Sequence, residues 1–137
     1  MSRPELIFAS DSVRVHGGGL AIDVRIPWYR SLPLSAISEV TVRIDGIPVP
    51  TSDLTLRWQG NDYAIQDLAE HWDRIWFIQD TATLLFPFRD SPAPLDISVG
   101  MRIRLPYIII EPYGALERYF EYTRMVTPIQ EETQDAP

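Results

Sequence analysis

Apolar and polar residues alternate with a period of two along most of the chain. Leu20, Ile22, Val24 and Ile26 alternate with Ala21, Asp23 and Arg25. Val40, Val42 and Ile44 alternate with Thr41, Arg43 and Asp45, and Leu54, Leu56 and Trp58 with Thr55 and Arg57. Leu84, Phe86 and Phe88 share one face. The longest run sets Ile97, Val99, Met101, Ile103, Leu105 and Tyr107 against Ser98, Gly100, Arg102, Arg104 and Pro106. Successive side chains of an extended chain point to opposite sides, so each run places one face on a core and the other in water. Turn chemistry separates the runs. Asp45-Gly46 lies between Ile44 and Ile47, Gly60-Asn61 between Trp58 and Tyr63, and Gly17-Gly18-Gly19 between Val15 and Leu20; each suits a hairpin. Asp90-Ser91-Pro92-Ala93-Pro94 breaks the chain before the longest run. Helical signals are confined to about one turn at 35–39 and another at 66–71. The pattern predicts an all-β fold, an antiparallel β-sandwich of roughly seven to nine short strands with little helix.

With 137 residues, the chain is expected to form one domain, residues 1–125, followed by an acidic, flexible tail at 126–137. Composition then narrows the chemistry. The net charge of −7 disfavours nucleic acid and anionic membrane, which both attract basic surfaces. No apolar stretch approaches the ~20 residues of a spanning helix, and no leader is visible, so a cytoplasmic location is expected. There is no cysteine, and all 12 basic residues are arginine. Thiol nucleophiles, thiolate metal sites and Schiff-base lysines are therefore excluded.

The remaining candidates are few. The only histidines are His16 and His71. His71 stands in Glu70-His71-Trp72-Asp73, where a carboxylate–imidazole cluster would bind metal or move protons. The spacing is not that of a helix-face ligand pair, and a polar loop is the simpler expectation. His16, beside three glycines, is expected in solvent. Glu70, Asp73 and Asp80 are the carboxylates that a small glycoside hydrolase would need to pair, yet no spacing fixes any two of them together. Trp72 and His71 are retained as ligand-proximal candidates, because aromatic faces stack on sugars. No catalytic and no metal-ligating residue is assigned in this chain.

Two segments instead suggest contact with another protein. Ile26-Pro27-Trp28-Tyr29-Arg30-Ser31-Leu32-Pro33-Leu34-Ser35 ends a strand at Pro27 and then offers aromatic, aliphatic and arginine side chains from a loop. Those residue types are costly in water and dominate binding hot spots. Trp28, Tyr29, Arg30, Leu32, Pro33 and Leu34 are accordingly expected at a partner interface. Near the C-terminus, Tyr113, Tyr119, Phe120 and Tyr122 follow the last strong strand. Some would extend the sandwich and others dock on a subunit; Tyr113 and Tyr119 are the interface candidates.

The segment Arg25-Ile26-Pro27-Trp28-Tyr29-Arg30-Ser31-Leu32-Pro33-Leu34-Ser35 resembles Arg-x-Pro-Tyr-Tyr-Arg-Gly-x-Pro-Leu-Ser, found in small (beta) subunits of C-glycoside deglycosidases. Trp28 and Ser31 depart from it. The Ile44-Asp45-Gly46 hairpin, the aromatic stretch 72–80 and the strand 99–107 follow in the order of that family. The resemblance implies a β-sandwich beta subunit in a higher hetero-oligomer with a larger, barrel-type, metal-binding alpha subunit. It implies cleavage of the C–C glycosidic bond of 3-oxo-C-glycosides of polyphenols, a lyase reaction of metal-assisted deprotonation and elimination. The divalent metal, Mn²⁺, is expected in the alpha subunit, with no cofactor in this chain. The alternative reading is a carbohydrate-binding or other β-sandwich interaction module.

Overall fold

The computed structural model describes residues 7–8, 12–16, 18–26, 31–77, 80–88, 94–112 and 114–130. Its strands are β1 (Val13–His16), β2 (Gly19–Val24), β3 (Leu32–Pro33), β4 (Ile37–Ile44), β5 (Ile47–Pro48), β6 (Thr55–Trp58), β7 (Asn61–Ala64), β8 (Ile75–Trp76), β9 (Ala82–Pro87), β10 (Leu95–Ile110), β11 (Gly114–Val126) and β12 (Ile129–Gln130). The fold is all-β. Helix includes short 3-10 turns at Leu34–Ala36, Thr51–Asp53 and Ile65–Glu70. β3, β5, β8 and β12 are two-residue pairings; the other eight strands have four residues or more.

A six-stranded sheet runs β12-β1-β2-β9-β6-β7, a four-stranded sheet runs β11-β10-β4-β5, and β3 pairs with β8 alone. All pairings are antiparallel except β1 with β12. The alternating positions of β2, β9 and β6 (Leu20, Ile22, Val24, Leu84, Phe86, Leu56, Trp58) meet those of β10 and β4 (Ile97, Val99, Met101, Ile103, Val40, Val42) in one buried cluster. Each such side chain removed from water contributes about 1.5–3 kcal/mol, which is why period-two register decides the fold.

Turn chemistry fixes that register locally. Ile44 pairs with Ile47 across Asp45-Gly46, whose φ values of 53° and 82° match the two left-handed residues of a type I′ turn. The next hairpin closes one residue earlier than Gly60-Asn61. Trp58 pairs with Asn61, and Gln59 at φ 50° with Gly60 at φ 81° forms the turn. Tertiary pairing overrides the poor fit of glutamine to a left-handed position.

The C-terminal segment resolves in favour of a strand. β11 pairs with β10 from Leu95↔Val126 to Ile110↔Gly114. Its Phe120 and Tyr122 pack against the core cluster, and Tyr122 meets Phe8 edge-on at 5.5 Å. Strand pairing also continues to Gln130 through β12, beyond the expected start of the tail at 126. Of the expected break at 90–94, residues 90–93 lie outside the described residues, as do residues 131–137.

Candidate partner-binding site

The short β3–β8 pairing joins the two segments that the sequence singles out. Leu32 pairs with Trp76 and Pro33 with Ile75. Beyond the strands, Leu34 N–H donates to the Arg74 carbonyl at 2.8 Å and Ser35 N–H to the His71 carbonyl at 3.3 Å. His71 N–H donates to the Leu68 carbonyl at 3.1 Å, closing the 3-10 turn that precedes it. Trp76 is fully buried, and its indole N–H donates to the Asp80 carbonyl at 3.0 Å. Asp80 N–H donates in turn to the Phe77 carbonyl at 2.9 Å. The corner is thus held by backbone hydrogen bonds and one buried indole.

Two expectations need correction here. Leu32 and Leu34 are not surface side chains: they are 2% and 0% exposed and belong to the chain's own core. The pairing with β8, more than 40 residues downstream, folds this part of the loop inward, where its apolar side chains are covered without a partner. Pro33 is half-buried. Trp28, Tyr29, Arg30 and Tyr113 lie outside the described residues. Tyr119 is exposed on β11, but it is engaged within the chain. Its hydroxyl shares a 2.8 Å hydrogen bond with Thr41 Oγ1, and the Arg102 guanidinium lies 5.2 Å from its ring centre.

His71 is half-buried, with its ring edge-on to Tyr63 at 4.8 Å. Trp72, the next residue, is 72% exposed. Ile75 and Phe77 are exposed as well, and sequence reasoning did not assign them. The available signal is Trp76 itself: where a strand residue points inward, its neighbours point outward. Glu70 and Asp73 are exposed and Asp80 is half-buried. Among the described residues no three histidine or acidic side chains gather into a group that could hold a metal ion. Grooves of about 490 Å³ against β2, β6 and β9, and of about 230 Å³ beside the β4–β5 hairpin, contain none of the residues predicted for the site.

The described residues thus form an all-β scaffold whose β3–β8 corner leaves Trp72, Ile75 and Phe77 exposed. Comparison with known proteins identifies the family. Residues 9–107 match the family model of the C-glycoside deglycosidase beta subunit. A C-glycoside deglycosidase beta subunit of Arthrobacter globiformis is 35% identical over 115 residues, covering 82% of this chain and 87% of its own. One from Microbacterium trichothecenolyticum is 33% identical, covering 78% and 82%. A 3'-dehydrocarminate deglycosidase beta subunit from a Microbacterium species is 32% identical, covering 76% and 80%. The chain belongs to the C-glycoside deglycosidase beta subunit family. No helix among the described residues is long and apolar enough to cross a membrane.

Proposed function

We propose that this chain is the non-catalytic small subunit of a cytoplasmic, hetero-oligomeric C-glycoside deglycosidase that cleaves 3-oxo-C-glycosides of polyphenols. Family membership over residues 9–107 is the observation that carries the reading. In the proposed reaction the proton at C2, acidified by the neighbouring 3-keto group, is removed. The C1–C bond to the aglycone breaks, and the aglycone carbon gains a proton, so that the sugar leaves as an enone. This is a lyase step. The alpha subunit, larger and barrel-like, would hold the base and a divalent metal, Mn²⁺, whose contribution is to stabilise charge on the sugar oxygens. The side-chain inventory supports this division of labour, since a chain with two histidines and neither lysine nor cysteine offers few groups for such a centre. The role left to this chain is to stabilise and shape its partner.

The test is to purify the chain alone and co-expressed with the alpha subunit, and to assay both on a 3-oxo-C-glucoside. The isolated chain is expected to be inactive and the complex active; full activity of the purified monomer overturns the reading. A second reading, a carbohydrate-binding module, is favoured by one observation, the exposure of Trp72. It requires calorimetric affinity of the isolated chain for a glycan that disappears in Trp72→Ala.

A further inference from the structure

We infer that the corner bearing Trp72, Ile75 and Phe77 is the surface on which the alpha subunit docks, and that the partner meets it with an apolar hollow edged by arginine or lysine. The inference rests on the subunit reading above and names the surface and its chemistry.

Three observations carry it. The first is rigid exposure. Trp72, Ile75 and Phe77 are exposed, although the backbone around them is tied down by the Leu34–Arg74 and Ser35–His71 hydrogen bonds and by the buried Trp76. Apolar side chains on a mobile loop lose conformational freedom when they bind, whereas side chains on a fixed corner have already lost part of it. The second is composition. Tryptophan and phenylalanine are enriched at the centres of interfaces, and an exposed apolar cluster is costly unless it is covered. The third is charge. The segment 65–80 contains four carboxylates and a single arginine, Arg74. It thus carries −3 of the chain's net −7 in a small fraction of its length. Asp67, Glu70 and Asp73 are exposed, as is Arg74, and Glu70 and Asp73 lie within two residues of Trp72 in sequence. Exposed apolar side chains carried on a net-acidic segment favour a partner with basic groups and disfavour an acidic one, including a second copy of this chain.

The test is co-expression with the alpha subunit of the same deglycosidase, followed by measurement of assembly by light scattering and surface binding. Trp72→Ala is expected to weaken assembly about thirtyfold or more, as a central tryptophan does. The isolated variant should unfold at the wild-type temperature, because Trp72 lies outside the core. Phe77→Ala should weaken assembly about tenfold. Asp73→Lys should slow association and reduce its dependence on salt. Wild-type assembly by Trp72→Ala overturns the inference while leaving the subunit reading intact. So does loss of a homodimer, or of glycan affinity, in Trp72→Ala while assembly with the alpha subunit is undiminished. If the wild-type chain itself forms no complex, the subunit reading fails with it.

Discussion

Two exposed aromatic regions differ in what they have already done with their side chains. On the outer face of the four-stranded sheet, Tyr119 lies across Gly100, hydrogen-bonds Thr41 and meets the Arg102 guanidinium, while Arg102 Nε donates to Glu39 at 3.0 Å. Ser98 and Thr123 share a 2.7 Å hydrogen bond further along the same face. That aromatic group is part of a ladder of cross-strand pairs. At the β3–β8 corner the opposite holds: the backbone is bonded, and Trp72, Ile75 and Phe77 face outward. Exposure of an aromatic residue alone therefore does not mark an interface. What separates the regions is whether the polar tip and the ring have partners among the described residues.

The largest effect should separate anchor from surface within the corner. Leu34 is fully buried, so Leu34→Ala is expected to cost the isolated chain about 3 kcal/mol in denaturant unfolding, from lost burial and the cavity left behind. Trp72→Ala should change the same curve by less than about 0.5 kcal/mol. Equal losses would mean that Trp72 is a core residue and would erase the contrast.

The next effect tests the sheet face. A Cβ on Gly100 would collide with Tyr119 Oη and crowd Thr41 Oγ1. Gly100→Val must displace the Tyr119 side chain and is expected to cost about 1–2 kcal/mol. The loss should shrink in the Gly100→Val, Tyr119→Ala double variant, because the clash with Tyr119 is then gone and only that with the Thr41 hydroxyl remains. Tyr119→Phe removes only the bond to Thr41 and should cost about 0.5–1 kcal/mol. Strict additivity in the double-variant cycle would show that Tyr119 does not depend on the glycine.

Most of the sheet architecture is legible in the sequence, because a period of two has one consistent reading in Ile97 to Leu105 and in Val40 to Ile44. Asp45-Gly46 is legible for the same local reason. Gln59-Gly60 is not, because glutamine carries no turn preference and the neighbouring Gly60-Asn61 does. The corner is only partly legible. Trp72 and Trp76 are four residues apart and chemically identical; one is exposed and the other buried because of a pairing with Leu32, which no local pattern encodes. The same non-local pairing turns Leu32 and Leu34 from expected interface residues into core. The resemblance around 25–35 points to the correct family, and among the described residues exposed apolar side chains stand on and beside the strand paired with that segment.

The smallest expected effect concerns an ion pair that includes none of the residues of either region, and it serves as their control. Arg57 and Asp62 face each other across the β6–β7 hairpin, with Nε to Oδ1 at 2.8 Å and Nη2 to Oδ2 at 3.1 Å. The hydrogen bond from Arg57, aided by its charge, holds the Asp62 carboxyl below its ordinary value of 3.8; the same bond and the charge of Asp62 push the Arg57 guanidinium above its ordinary value, so it stays protonated. A carboxyl with a depressed folded value contributes stability that is present above its unfolded value and is lost as pH falls through the folded one. The isolated chain should therefore lose a small increment of stability below about pH 4, and Asp62→Asn should flatten that part of the curve. Both side chains are nearly half exposed, so solvent screening keeps the increment small. Trp72→Ala should leave the slope intact, because the aromatic corner contributes to assembly and not to the acid limb of folding. A slope that follows Trp72 instead of Asp62 would show that the corner is coupled to the fold after all.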